Sequence, residues 1–138
     1  ITTYFDKDID DYALMSVRGG TILIDASLLE QESLYGRLRF TLAHELSHYL
    51  LHKCVFSGTG TAAALYQNEV DEDATEWQAN YLAQAILMPN GQVKRCFYAL
   101  RPICKSKQEY VCQMAKIFEV SKQAMEIRLK GFSLIWVN

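Results

Sequence analysis

The stretch SLYGRLRFTLAHELSHYLLH, residues 33–52, decides the fold class. Leu34, Leu38, Leu42, Leu46 and Tyr49 recur at steps of four and three, the period of a helix with one apolar face. Inside that helix stands His44-Glu45-Leu46-Ser47-His48. At about 100° per residue the two histidines project roughly 40° apart and one turn along the axis, so both imidazoles reach one cation. Glu45 lies about 60° round from His48 on the far side from His44, where a carboxylate reaches a metal-bound water without ligating the metal. The H-E-x-x-H order on a helix is the arrangement of zinc peptidases, and the plain alternative is a pair of ordinary helix histidines beside a solvated glutamate.

Working outward, YALMSV (12–17) and TILIDASLL (21–29) are β-rich stretches flanking Arg18-Gly19-Gly20, which predicts a hairpin and a small antiparallel sheet. Residues 53–70 carry Gly58 and Gly60 among small polar residues and read as a loop with a short strand around Val55. A second helix is expected from Glu69 or Val70 to Met88, opened by the acids Glu69, Asp71, Glu72 and Asp73 and stopped at Pro89-Asn90-Gly91. Its alanines and aromatics fall on most faces, which predicts a central helix. Helical pieces follow at 92–100 and 107–118, separated by Pro102, and a last one spans Ser121 to Lys130.

The 138 residues suit one domain, 1–138, and with 50% of them hydrophobic a real core is within reach. A formal net charge of −2 gives no chain-wide attraction to phosphate backbones or anionic lipid. No apolar run approaches the roughly 18 residues of a membrane helix, and ITTYFDKDIDDYA has no secretory layout, so the expected setting is cytoplasmic, without membrane partners. Cys54, Cys96, Cys104 and Cys112 lack C-x-x-C spacing and are read as reduced thiols.

Two histidines leave zinc one protein ligand short of a catalytic site. His52 continues the spacing, but it lies ~12 Å from His44 along the axis, whereas two zinc ligands bring their nitrogens within about 3–4 Å. Leu51 and Cys54 stand where a metzincin motif needs Gly and His. His52 is therefore read as a residue behind the ligands, a structural residue or one facing the substrate. The third ligand is expected from the second helix, where Glu76 is best placed, one turn before Asn80. An exposed partner of Asn80 is an equal reading of the same residue.

Three blocks then resemble the ImmA/IrrE-type metallopeptidases: RFTLAHELSHYLLH at 39–52, EWQANYLAQAILMP at 76–89 and VSKQAMEIRL at 120–129. The second block, with its E-x-x-A-N-x-x-A-x-x-x-L-M-P pattern, is the most distinctive. The resemblance implies His44, His48 and Glu76 as metal ligands, Glu45 as general base, one zinc ion (Zn2+) per chain, and Asn80 in a supporting role beside the ligand helix. His52, Tyr66 or a backbone N–H are candidates for oxyanion stabilisation. Ser47 stands where the family often has Gly, and Leu82 where it often has Phe. The fold so implied is α+β, a helical zincin-like metallopeptidase domain with the N-terminal antiparallel sheet and a C-terminal helix-turn-helix-like unit at 107–133. The family's members often cleave helix-turn-helix repressors, frequently in mobile elements or stress circuits, which implies a protein substrate of that kind and a role in transcription regulation. Regulation by an added sensor domain is not expected from this chain alone.

Two competing readings come from other classes. One is a DNA- or protein-binding module with structural zinc or none, in which Lys122, Gln123, Arg128 and Lys130 touch phosphates or bases. Against it, Ala115, Ile117, Phe118, Ala124, Ile127 and Leu129 suffice to make the C-terminal stretch a packing unit, and direct nucleic-acid binding is not expected. The other is a zinc-bearing scaffold without activity, which leaves Glu45 without a use. Oligomeric state has no signature in the sequence.

Overall fold

Three short strands open the chain. The computed structural model describes residues 1–6, 13–16, 20–56 and 72–135, with backbone alone at 13–16, 54–56 and 72. β1 (Thr2–Asp6), β2 (Ala13–Ser16) and β3 (Thr21–Asp25) form one sheet in the order β1-β3-β2. β2 pairs antiparallel with β3, from Ala13 opposite Ile24 to Ser16 opposite Thr21, while β1 pairs parallel with it, from Thr2 opposite Thr21 to Asp6 opposite Asp25. The expected antiparallel sheet is thus corrected to a mixed one. β1 escaped the sequence pattern because all five of its residues are exposed, so it shows no alternation between a buried and a wet face. Arg18 and Gly19 of the expected turn lie outside the described residues; Gly20 has φ +59°, the left-handed region that glycine enters without Cβ strain.

β3 buries Ile22 and Ile24 on one face, and these pack with Leu28 and Leu38, flanked by Leu34 and Leu42, into a first core under the helix α1 (Tyr35–Phe56). α1 continues through Val55, so the short strand expected there is instead helix. Nothing between Lys53 and Phe56 breaks a helix, and the first glycine is Gly58. The remainder of the expected loop lies outside the described residues.

α2 (Glu72–Leu87) packs antiparallel against α1: Glu76, near its start, meets His44 and His48, whereas Ile86 and Leu87 line one cavity with Leu42, Ala43 and Leu46. Both helices bury small side chains, Ala43 and Ser47 on one and Ala79 and Ala83 on the other. Such residues let helix backbones approach closely. The expectation of a central helix is corrected on the opposite face of α2, where Trp77 and Tyr81 are 65% and 58% exposed and stack with ring centroids 5.5 Å apart.

Pro89 ends α2 and leads directly into α3 (Asn90–Ala99), because the ring removes an N–H that only a first helical turn can spare. α4 (Lys107–Phe118) and α5 (Lys122–Gly131) are opened by Ser106 and Ser121, whose hydroxyls accept from the N–H groups of Glu109 and Ala124 at 3.2 and 3.1 Å. Met88, Val93, Phe97, Val111, Met114, Ala115, Val120, Met125 and Leu129 form the second core. Ile117 and Ile127, expected inside it, are exposed.

Three polar or steric contacts pin this C-terminal unit to the helices ahead of it. Arg39 of α1 donates from Nη1 to the carbonyls of Phe118 and Glu119 at 2.6 and 2.9 Å, satisfying the end of α4 where Glu119 adopts φ +53°. A Cβ on Gly36 would meet the backbone of Val120 and Ser121 at 3.0 Å, so the first turn of α1 lies directly on the α4–α5 turn. Arg128 is buried, donates from Nε to the Met88 carbonyl at 3.0 Å and lies 4.5 Å over the Phe132 ring. Of the side chains read as contacts for nucleic acid, Arg128 is therefore occupied inside the fold, and Lys130 pairs with Glu126 at 3.0 Å.

Among the described residues no helix is long and apolar enough to cross a membrane. Cys96, Cys104 and Cys112 are free thiols, and burial raises that of Cys96 above its ordinary range.

Candidate metal centre

α1 holds His44 and His48 one turn apart on the side that faces the start of α2. Their side chains are 17% and 15% exposed, the ring planes lie 85° apart, and the two Nε2 atoms are separated by 3.0 Å. From α2, Glu76 sets Oε1 2.9 Å from Nε2 of His48 and Oε2 3.2 Å from Nε2 of His44. Among the described residues these three are the group whose ligating atoms could share a cation, all within 4.8 Å of one another.

Burial pushes the His48 imidazole below its ordinary range, and the positive potential of His44 and His52 adds to this; only Glu76 acts the other way. His48 thus keeps a lone pair at neutral pH, the form a metal ligand requires. Nδ1 of His44 is buried with no hydrogen-bond partner among the described residues. Two imidazole nitrogens 3.0 Å apart share a single proton, and the Glu76 oxygens, which only accept, compete for it, so the three side chains make more contacts than they have protons to fill. Two histidines and one carboxylate turned to a common point are the donor set of an open, catalytic zinc site.

Behind these three side chains runs a second line of contacts. Nδ1 of His48 lies 3.2 Å from Nδ1 of His52, and Nε2 of His52 lies 3.0 Å from Oε1 of Gln78 on α2. His52 is buried and stands outside the three-ligand group. Ser47, between the histidines in sequence, is fully buried and donates its hydroxyl to the Ala43 carbonyl at 2.7 Å, so the serine is absorbed by its own helix.

Glu45 is half-buried on α1, and Asn80 is half-buried one turn beyond Glu76, outside the ligand group. Tyr66 lies outside the described residues. Sequence reasoning passed over Gln78: it stands two positions from Glu76, off the i,i+4 row, and no periodicity marks it. It also passed over Gly36 and Arg39, whose partners lie about eighty positions away in the chain.

The family model of the M78 peptidases, described as the IrrE N-terminal-like domain, matches residues 6–130. The chain belongs to this family. The match takes in α1, the described part of α2, and all but the last residue of α5, so the IrrE N-terminal-like domain includes both helices of the candidate centre and the unit that pins them. No curated protein matches the chain. Membership of the M78 family points to a metallopeptidase, and a metal, typically zinc, is what such a peptidase uses.

Proposed function

We propose that this chain is a zinc-dependent peptidase in which His44, His48 and Glu76 hold one zinc ion and Glu45 is the general base. The observation that carries the proposal is the convergence of three ligating atoms from two helices within 4.8 Å, in a member of a peptidase family. When bound, zinc supplies Lewis acidity, which acidifies a water and polarises the scissile carbonyl. The rest of the chemistry falls to the chain. Glu45 takes a proton from the attacking water and delivers it to the departing amine, and its place next to His44 keeps it near the reacting atoms while leaving it out of the ligand set. The half-buried histidines fix one side of the site, whereas Glu76, with 56% of its side chain exposed, leaves the other open to a polypeptide.

The substrate we propose is a protein, a helix-turn-helix transcriptional repressor cut at one site in the cytoplasm; the support for this is the resemblance of the three sequence blocks. Metal content per chain by mass spectrometry, on the parent and on Glu76→Ala prepared identically, tests the centre. One zinc in the parent and a clear loss in the variant is the expected result. Full retention in Glu76→Ala would overturn the ligand assignment.

A further inference from the structure

His52 presents a problem that the ligand set leaves open. It is a buried ionisable side chain on the same helix as His44 and His48, too far along the axis to share their cation, yet both of its ring nitrogens are engaged. One faces Nδ1 of His48 and the other faces the side-chain oxygen of Gln78. These contacts have a direction. The side-chain oxygen of Gln78 can only accept, so with Oε1 turned to a neutral His52 the contact places the proton on Nε2 and directs it to Gln78. Nδ1 of His52 is then a lone pair, and the hydrogen bond at 3.2 Å requires the proton to sit on Nδ1 of His48. An imidazole protonated on Nδ1 has its lone pair on Nε2, and Nε2 of His48 lies 2.9 Å from a Glu76 oxygen that can only accept. One proton answers only one of the two contacts, to His52 or to Glu76, and a cation between Nε2 and Glu76 would leave it to Nδ1.

We infer that His52 and Gln78 are positioning residues, a relay that holds His48 in the Nδ1–H tautomer and so presents its Nε2 lone pair to the cation. The inference rests on the reading of His48 as a metal ligand and adds to it the means by which the ligand is kept ready. Histidines that bind metals are commonly fixed by an acceptor at the other nitrogen, and here the acceptor is a second imidazole whose own tautomer is set by an amide on the facing helix. Gln78 also ties the relay to α2, the helix that carries Glu76.

Gln78 is exposed, so its replacement does not disturb a core. Zinc affinity is measured by chelator competition on the parent, Gln78→Leu, Gln78→Glu and Glu76→Ala, with histidine tautomers read from long-range 1H–15N spectra of the zinc-loaded parent. Gln78→Leu removes the acceptor and is expected to weaken zinc by a measurable factor, up to about 10-fold, the low end of the cost of losing an outer partner of a ligating histidine, because Gln78 acts on His48 through His52. Gln78→Glu keeps an acceptor at the same place and is expected to bind at least as tightly as the parent. The spectra are expected to show His48 protonated on Nδ1 and His52 on Nε2. Parent-like affinity in Gln78→Leu, or a His52 proton on Nδ1, overturns the relay while a loss in Glu76→Ala leaves the metal centre standing. A parent without zinc affinity overturns both.

Discussion

Along the contact of α1 with α2, acceptors outnumber the protons between them: two Nε2 atoms 3.0 Å apart both face Glu76 oxygens, and Nδ1 of His44 is buried without a partner among the described residues. In the C-terminal unit each buried or capping polar group meets its complement. Arg128 reaches the Met88 carbonyl, Arg39 reaches the end of α4, and Ser106 and Ser121 close the first turns of their helices. An unsatisfied buried group costs roughly 1–3 kcal/mol, so a fold keeps such groups only where something else completes them. The second arrangement holds the molecule together, and the first suits the metal proposed for it. Substitutions in the two regions should therefore fail in different ways.

The largest effect is expected at the first region. Glu45→Gln should lower the rate of peptide hydrolysis per bound zinc by about 10²–10⁴-fold, with zinc content and melting temperature near the parent's. Loss of zinc in that variant would move Glu45 from base to ligand and blur the comparison. In the second region Arg128→Ala should leave zinc content per folded chain unchanged but cost about 2–3 kcal/mol in urea unfolding, because the Met88 carbonyl loses a charged donor inside the core. A stability change below about 0.5 kcal/mol would mean that the contact adds nothing to the fold.

Smaller effects sharpen the same division. Gly36→Ala drives a methyl into the backbone of Val120 and Ser121 and should cost about 1–3 kcal/mol, whereas Gly91→Ala in α3 meets no atom within 4 Å and should be neutral or stabilise by up to about 1 kcal/mol. Equal melting temperatures for the two variants would deny the close approach of α1 to the α4–α5 turn. The smallest effect concerns Glu126, whose carboxyl is held below its ordinary value first by Lys107 and then by Lys130. With a depressed folded-state pKa, its stabilising contribution is present above the ordinary glutamate range and disappears as pH falls through the lowered value. The melting-temperature gap between the parent and Glu126→Gln should be small at pH 7, as befits pairs about a third exposed to water, and should close in acid. A gap that widens in acid would reverse the sign of the argument.

The legible part of this molecule was its local periodicity. Helix α4 lies at the residues where the pattern places it, and α5 begins one residue after Ser121, because caps and apolar spacing are written within a few positions. The two histidines of α1 could be placed on one face by counting residues. Where partners come from far along the chain, counting fails. Nothing within Thr2–Asp6 says that it joins β3 in parallel, and nothing around Gly36 says that the missing side chain makes room for Val120. The aromatic content of α2 misled for a related reason: composition cannot tell that Trp77 and Tyr81 cover each other on the surface while Ala79 and Ala83 fill the interior. Glu76 occupies an intermediate position. Its helix was readable, but among the acids near it only the facing histidines single it out.

The contact between Arg39 and the carbonyls of Phe118 and Glu119 has a consequence for the order in which a ribosome delivers this protein. His44, His48 and Glu76 all leave the exit tunnel well before the residues that anchor α1 and the end of α2, namely Phe118 to Ser121 and Arg128. A nascent chain therefore carries all three side chains of the candidate centre while their supports are still being synthesised. Its helices can gather early, since they are close in sequence, but the frame that holds them rigid closes from the far end, and the site becomes a fixed geometry only when α5 has emerged.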